Sequence, residues 1–404
     1  MSSEDKSQAE GLHRGHLPMI LILGALIAFA PLAIDMYLPA FPAIATHFGT
    51  GPGAVQATLA AYFIGIALGQ SVVGPLSDRL GRLPPLLIGI SAFALASLGA
   101  AHAPSIEWLV FARFCQALGG CAGIVISRAM VRDLFDERHS AQVYSLLMLV
   151  MGVAPILAPL LGGFLIAHFS WSFIFLFQAA FALVCLVAAW RGLGETLPHD
   201  RRLKSSFKSV LYAYFALTQD RFYVAFTLVN AFISASMFAY ITGASFIFIS
   251  FYKVTPEQFA LIFGGNAAGF ILCAQVNAWL LRRFSGRAIM SVAVGAHLVV
   301  ATTMLVLNLV TFDMPWVLGA TLFAQLAVSG FVGANAIAAA MSRAERNAGA
   351  AAALNGIVQF AMAALAGALV GYFDNGTPLS MAAVIFALSL AGTLSRIAAR
   401  QKEG

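Results

Sequence analysis

Charge is what this sequence has least of. Only 10% of its 404 residues are Asp, Glu, Lys or Arg, whereas soluble domains carry roughly 25%. So few charges cannot clothe a water-facing surface. With 60% hydrophobic residues and a mean hydropathy of +0.87, the class that fits is a multi-pass membrane protein. Cysteine is scarce as well. Cys115, Cys121, Cys185 and Cys273 lie in apolar stretches without ligand-like spacing, so they read as small apolar residues, not as disulfides or metal ligands. There is no metalloprotease pair, phosphate loop or catalytic triad pattern. The expectation is therefore no enzyme, no metal and no bound cofactor. A cleavable leader is not expected either: the first apolar run is long enough to span, and no obvious cleavage site follows it.

What the chain has instead is twelve apolar runs, beginning with 18–38 and 54–74 and ending with 378–395. About 20 apolar residues in a helix cross the ~30 Å hydrocarbon core of a bilayer. The expected fold is all-α, with twelve transmembrane helices in two six-helix halves. The organisation reads as an N-terminal segment 1–17, a first half 18–190, a linker 191–221, a second half 222–395 and a C-terminal segment 396–404. Of the 23 lysines and arginines, all but Arg113 and Lys253 fall on one set of connections. By the positive-inside rule that set, with both termini and the linker, faces the cytoplasm. This accounts for the net charge of +6 without nucleic acid. Trp108, Trp171, Trp190, Trp279 and Trp316 fall at or near the ends of runs, as an aromatic belt requires. A faint repeat supports two related halves: Leu80-Gly81-Arg82 resembles Ser285-Gly286-Arg287, and Arg138-His139-Ser140-Ala141 resembles Arg346-Asn347-Ala348-Gly349, at nearly the same separation. Paired halves with a site at their interface are a common transporter plan.

Two ionisable residues stand out inside the spans. Asp35 is the sole ionisable group between Pro18 and Leu38, and a carboxylate within a span costs at least ~2.5–3.5 kcal/mol near the centre. Either it reaches interfacial water at the end of the first span, or it carries a proton in a water-filled cavity. Arg113 either snorkels toward the same face or faces the interior. His297, the other titratable group well inside a span, reads as a hydrogen-bonded packing residue. Asn230, Asn266, Asn335, Asn355 and Gln359 either line a cavity from the second half or bond between helices. Tyr37, Tyr62, Tyr240 and many phenylalanines suit a broad apolar cavity wall.

The turn Gly74-Pro75-Leu76-Ser77-Asp78-Arg79-Leu80-Gly81-Arg82-Leu83-Pro84-Pro85 resembles the loop signature of the major facilitator superfamily, G-x-L-[AS]-D-R-x-G-R-[RK], with Leu83 where a second basic residue is common. Gly74 and Pro75 are read as the end of the second span, and Pro84-Pro85 as the first turn of the third. Arg113, Gln116 and Gly119 resemble the superfamily's fourth-span pattern. In the fifth span, Pro155, Pro159, Gly162 and Gly163 resemble the antiporter signature of drug exporters, with Ala154 and Ala158 replacing two glycines. Asp35-Met36-Tyr37-Leu38-Pro39, Ser127-Arg128 through Asp133-Leu134-Phe135, and Glu195-Thr196-Leu197-Pro198 are similar to the Bcr/CflA drug-resistance group.

That resemblance implies a proton-coupled drug exporter of the bacterial inner membrane, acting as a monomer on small amphipathic drugs such as phenicols or bicyclomycin. It implies Asp35 and Arg113 as the proton-coupling pair, with first and fourth spans adjacent. It implies a substrate cavity of Asp35, Tyr37, Tyr62, Arg113, Gln116, Asn230, Tyr240, Asn266 and Gln359. The conformational motif would be Gly74, Asp78, Arg79, Gly81, Arg82, Pro155, Pro159, Gly162 and Gly163. The competing readings are a proton-linked metabolite importer of the same superfamily and a non-transporting membrane scaffold or sensor.

Overall fold

In lipid every backbone polar group must be satisfied within its own segment, so the apolar runs fold as helices. The computed structural model describes residues 17–202, 207–310, 314–344 and 348–400. Among them are twelve helices long and apolar enough to cross a membrane. They are α1 (Leu17–Phe48), α2 (Pro52–Leu80), α3 (Leu83–Ala101), α4 (Ile106–Leu134), α5 (Glu137–His168) and α6 (Ser172–Gly192), then α7 (Arg221–Phe251), α8 (Pro256–Leu280), α9 (Gly286–Val310), α10 (Pro315–Met341), α11 (Ala348–Tyr372) and α12 (Pro378–Ala399). In the first half α2 and α3 pack on α4, α6 packs on α3, and α1 leans on α4 and α5. In the second, α11 and α12 pack on α7, α9 packs on α12, and α8 and α9 pack on α10. The halves meet along α2 with α11 and α5 with α8.

The helices outrun the apolar stretches that announce them. The second does not end at Gly74 and Pro75; it continues with Pro75 inside it to Leu80. Proline removes one backbone bond, and packing on both sides of it keeps the helix together. Just beyond it the Ser77 hydroxyl donates to the Gly74 carbonyl at 2.9 Å. The first does not end at Leu38 but at Phe48, which moves Asp35 from a helix end to the interior of the span. Pro84 and Pro85 do occupy the first turn of α3. The linker carries a 3-10 turn at His199–Arg201 and a helix at Phe207–Gln219. Asp220 then caps α7, its carboxylate accepting from the N–H groups of Phe222 and Tyr223. Cys121 and Cys185 are buried, Cys115 and Cys273 only partly, and all four are free. The Gly81-Arg82 and Gly286-Arg287 turns fall at equivalent places in the two halves, ahead of α3 and at the start of α9. The second landmark of the repeat, at Arg346 and Asn347, lies outside the described residues, as do residues 1–16 and 401–404.

Candidate functional site

Three prolines shape α1. Pro31, Pro39 and Pro42 each lack the N–H that would bond the carbonyl four residues back. The chain is α-helical over Phe29–Ile34 and turns through Asp35, Met36 and Tyr37. It then tightens to a 3-10 turn over Leu38–Ala40 and resumes as α-helix over Phe41–Phe48. Asp35 sits at the break and is 6% exposed. Among the described residues no cation lies within 4.0 Å of its carboxylate. It is within electrostatic range of Tyr62 on α2 and Tyr240 on α7, one from each half.

Arg113, on α4, is fully buried. Its guanidinium lies 4.3 Å from the Tyr62 ring centroid and 4.6 Å from that of Tyr37, with Phe175 at 5.8 Å. One Nη donates to the Ala33 carbonyl at 2.9 Å and the other to Gln116 Oε1. The Gln116 amide donates to Ser97 and to Gln178, each at 2.7 Å, and Gln178 donates to the Leu32 carbonyl at 3.0 Å. Leu32 and Ala33 precede the break in α1, so side chains from α4 and α6 supply donors where the helix stops supplying them. Tyr37 donates to Thr58 at 2.9 Å, because the Thr58 hydroxyl is itself spent on the Val55 carbonyl. The expected adjacency of α1 and α4 holds, and of the direct or water-mediated interaction expected between Asp35 and Arg113, no direct contact within 4.0 Å is made. Neutral acceptors and two aromatic faces hold the guanidinium two residues short of the acid.

The second half presents Tyr240 to this region. Its hydroxyl accepts from Asn266 at 2.9 Å, and its ring stacks on Phe263 at 5.4 Å. Phe63 of α2 packs edge-on against Phe238 of α7 at 4.7 Å, beside Phe360 of α11. Asn230 donates to Asn355, and Gln359 to Ser234. His297, fully buried, meets Ser236 at 3.2 Å and the Gln325 amide at 2.9 Å, and Gln325 also reaches Ser389 at 3.2 Å. This is the packing role expected of it.

At the face opposite the linker the halves are fastened. Ser245 of α7 donates at 2.6 Å to the Leu38 carbonyl, the carbonyl that Pro42 leaves without its α-helical donor. Phe41 packs on Phe246 at 5.8 Å. Gly53 of α2 lies against Gly371 of α11, where an added Cβ would stand 3.1 Å from a carbonyl oxygen. Pro155 and Pro159 lie inside α5 without ending it. Gly162 of α5 presses on the Met36 carbonyl so closely that a Cβ there would collide with it, and Gly163 packs on Pro256 at the start of α8.

At the linker face a charge cluster closes the α2–α3 turn. Arg82, 2% exposed, donates to Asp78 at 2.6 Å, Ser77 at 2.9 Å and Asp133 of α4 at 2.8 Å. Burial alone would lower its pKa, but the bonds to Asp133 and Asp78 outweigh burial and hold it above its ordinary value. Glu195 of the linker accepts from the N–H groups of Arg82 (2.8 Å), Leu83 (3.3 Å) and Leu197 (2.9 Å), so it caps the start of α3. Burial acts to raise its pKa, and these three N–H groups together with Arg202 overcome that and hold it below the ordinary 4.5. Gly81, at φ 97°, sits under the Glu195 carboxylate where a side chain would collide. Arg79 points to the exposed side and takes no part in the cluster.

The sequence matches the Major Facilitator Superfamily over residues 23–367. The chain belongs to that superfamily. It is 35% identical over 387 residues to the uncharacterized MFS-type transporter YdgK of Bacillus subtilis, covering 94% of each chain. It is 29% identical to a bicyclomycin resistance protein homolog of Haemophilus influenzae, over 90% of this chain and 91% of that one. It is 31% identical to a chloramphenicol resistance protein of Pseudomonas aeruginosa, over 68% and 65%. In fold it is similar to the crystal structure of a bacterial homologue of the human lysosomal transporter Spinster, with TM-score 0.75 at 15% identity, over 94% and 96% of the two chains. The chain is thus a Bcr/CflA-like member of the superfamily, and it is a multi-pass membrane transporter.

In this transporter the expected cavity residues divide. Asp35, Tyr37, Tyr62 and Arg113 gather at the break in α1, with Tyr240 and Asn266 facing them from the second half. Gln116 stands behind Arg113 and spends its amide on α3 and α6, while Asn230 and Gln359 bond across α7 and α11. The sequence reading missed Ser97, Thr58 and Gln178 as members of the site. Gln178 carried a signal, being a lone amide in the otherwise apolar α6.

Proposed function

We propose that this transporter exports amphipathic drugs in exchange for inward-moving protons, with Asp35 as the proton carrier. The supporting observation is a single buried carboxylate placed at a helix break between the halves, with no cation bonded to it among the described residues. Its surroundings are aromatic rings and neutral hydrogen-bonding groups from both halves, the kind of wall that accepts varied apolar solutes. Arg113 serves as a fixed positive body under Tyr37 and Tyr62, not as a direct counter-ion. It holds the break in α1 open, and with it the position of Asp35. The charge asymmetry of the loops supports a cytoplasmic linker and termini in the inner membrane. The fastening of α1 to α7 then closes the periplasmic side, and export requires that this contact part. The names of the resistance-protein relatives support phenicols and bicyclomycin as the first compounds to try.

The test is proton release on drug addition to purified protein, paired with uphill flux in proteoliposomes. Asp35→Asn should insert, bind drug and release no proton, and it should fail to pump drug against its gradient. Wild-type pumping by that variant would end the assignment. Growth on a sole carbon source would expose a metabolite importer. Absence of flux with any compound would favour a scaffold or sensor.

A further inference from the structure

The two halves treat their linker-face turns differently. Superposing the repeat, with Gly81-Arg82 on Gly286-Arg287, puts Arg283 where the first half has Asp78. The fourth helix of the first half ends beside Asp133, which bonds Arg82; the chain leaving α10 instead carries Arg343. The second half has therefore kept the arginine of the turn and lost both acids that neutralise it.

Its arginines converge nonetheless. Phe222 and Phe226, at the start of α7, pack together at 4.6 Å. The Arg343 guanidinium stands 5.0 Å from the Phe222 ring and that of Arg287 5.5 Å from the same ring, while Arg396 of α12 lies 5.3 Å from the Phe226 ring. Arg396 is 5% exposed and is held by a 3.0 Å bond from Nε to Ser291. Arg287 and Arg343 are exposed, and among the described residues neither has a carboxylate within 4.0 Å. The nearby Asp220 spends Oδ1 on the N–H groups of Phe222 and Tyr223. By sequence, Glu345 is the one acid in the turn after α10, and it is flanked by Arg343 and Arg346.

We propose that Arg287 and Arg343, over the Phe222–Phe226 floor and backed by Arg396, bind the phosphate of an anionic phospholipid from the leaflet on the linker face. Two planar guanidinium groups on one ring match the forked hydrogen bonding of a phosphate. Basic pockets between spans at a membrane face are suited to lipid head groups. The phosphate supplies from the bilayer the negative charge that Asp78 and Asp133 supply from the chain in the first half. Because the readout is lipid retention, the site stands or falls apart from proton coupling.

The experiment is native mass spectrometry and thermal unfolding of the purified full chain. It is run with added dioleoyl phosphatidylglycerol, with dioleoyl phosphatidylcholine, or with inorganic phosphate alone. Phosphatidylglycerol should stay bound and raise the unfolding midpoint of the wild type, and phosphatidylcholine should do neither. Arg287→Gln/Arg343→Gln should hold phosphatidylglycerol about tenfold less well, the loss expected for a charge-assisted hydrogen bond. Arg79→Gln, an exposed arginine on the same face of the first half, should leave retention unchanged. If the double variant does not purify, Arg343→Gln alone gives the same readout in the same direction. Equal retention in wild type and variant overturns the site. Equal stabilisation by inorganic phosphate overturns the lipid as its occupant.

Discussion

Arg113 and His297 occupy the centres of two polar networks built on matching helices. In the first half Arg113 joins Gln116 of α4, Ser97 of α3 and Gln178 of α6 to the backbone of α1. In the second, His297 of α9 joins Gln325 of α10, Ser389 of α12 and Ser236 of α7. The first network contains an arginine and ends two residues from a buried acid; the second contains neither. Their lead helices differ in step. Prolines break α1 at Asp35, whereas α7 runs regularly through Tyr240 and departs from the α form only in a π-helical turn at Phe246–Phe251. A repeat of one architecture has thus kept the scaffold twice and the charge once. The first half is built to change its charge state, and the second is built as a packed body for it to move against.

The largest consequence of that difference is expected at Arg113. Arg113→Ala leaves the Ala33 carbonyl and Gln116 Oε1 without donors, at about 1–3 kcal/mol for each buried group. It also forfeits cation–π contacts worth about 2 kcal/mol when desolvated. Unfolding in detergent should show a loss several times that of Gln325→Leu in the second half. Equal losses would mean that the two networks are equivalent supports.

Next come Gly162 and Gly367, at corresponding places on α5 and α11. A Cβ on Gly162 strikes the Met36 backbone carbonyl, whereas one on Gly367 stands 3.2 Å from the Thr242 hydroxyl, a side chain that can turn away. Gly162→Ala should cost about 1–3 kcal/mol, as overpacking does, and slow transport. Gly367→Ala should cost less in both assays. His297→Asn is expected to rank third. It preserves a hydrogen-bonding group in the second network, so uphill transport should persist at a reduced rate, in contrast to Asp35→Asn. Abolition of coupling by His297→Asn would give the second half the charge chemistry denied to it here.

Much of this was legible in the sequence, for a physical reason. A span must be apolar over about 20 residues, so twelve of them announce themselves, and a charge inside one is conspicuous for its cost. Asp35 and Arg113 were therefore visible, while their partners were not. What Arg113 bonds is a backbone carbonyl, and a carbonyl becomes available through helix geometry that no residue type reveals. The same geometry misplaced the ends at Leu38 and Gly74: prolines that stop helices in water are carried within them when neighbouring helices repair the lost bond. Asn230 and Gln359 read either as lining the cavity or as bonding between helices, and Gln116 as a cavity residue. Sequence does not say which, because an amide turns to a neighbouring helix whenever one stands within reach, and each of these has one.

The smallest effect concerns Glu195. Its pKa is depressed in the folded protein, so the stability it contributes is present above 4.5 and is lost as pH falls through the folded value. Hydrogen exchange at Leu83 and Leu197 should accelerate, relative to neighbouring amides, as pH is lowered through that range. Glu195→Gln should show fast relative exchange at all pH values and no such transition.

That carboxylate also settles where one half of the chain stops. Glu195 and Thr196 bind Arg82, Leu83 and Asp133, and Arg202 turns back to Leu197 and Glu195. Residues up to Arg202 are therefore stitched to the helices before them, as a hem is to its cloth. A gene divided after that codon would yield a first polypeptide that keeps its own helix cap and a second that carries the helix leading to Asp220. Co-expressed, the two pieces would carry every contact described between the halves and lack only the covalent thread. The transporter would then become a two-part reporter, whose reassembly measures how strongly the halves hold each other.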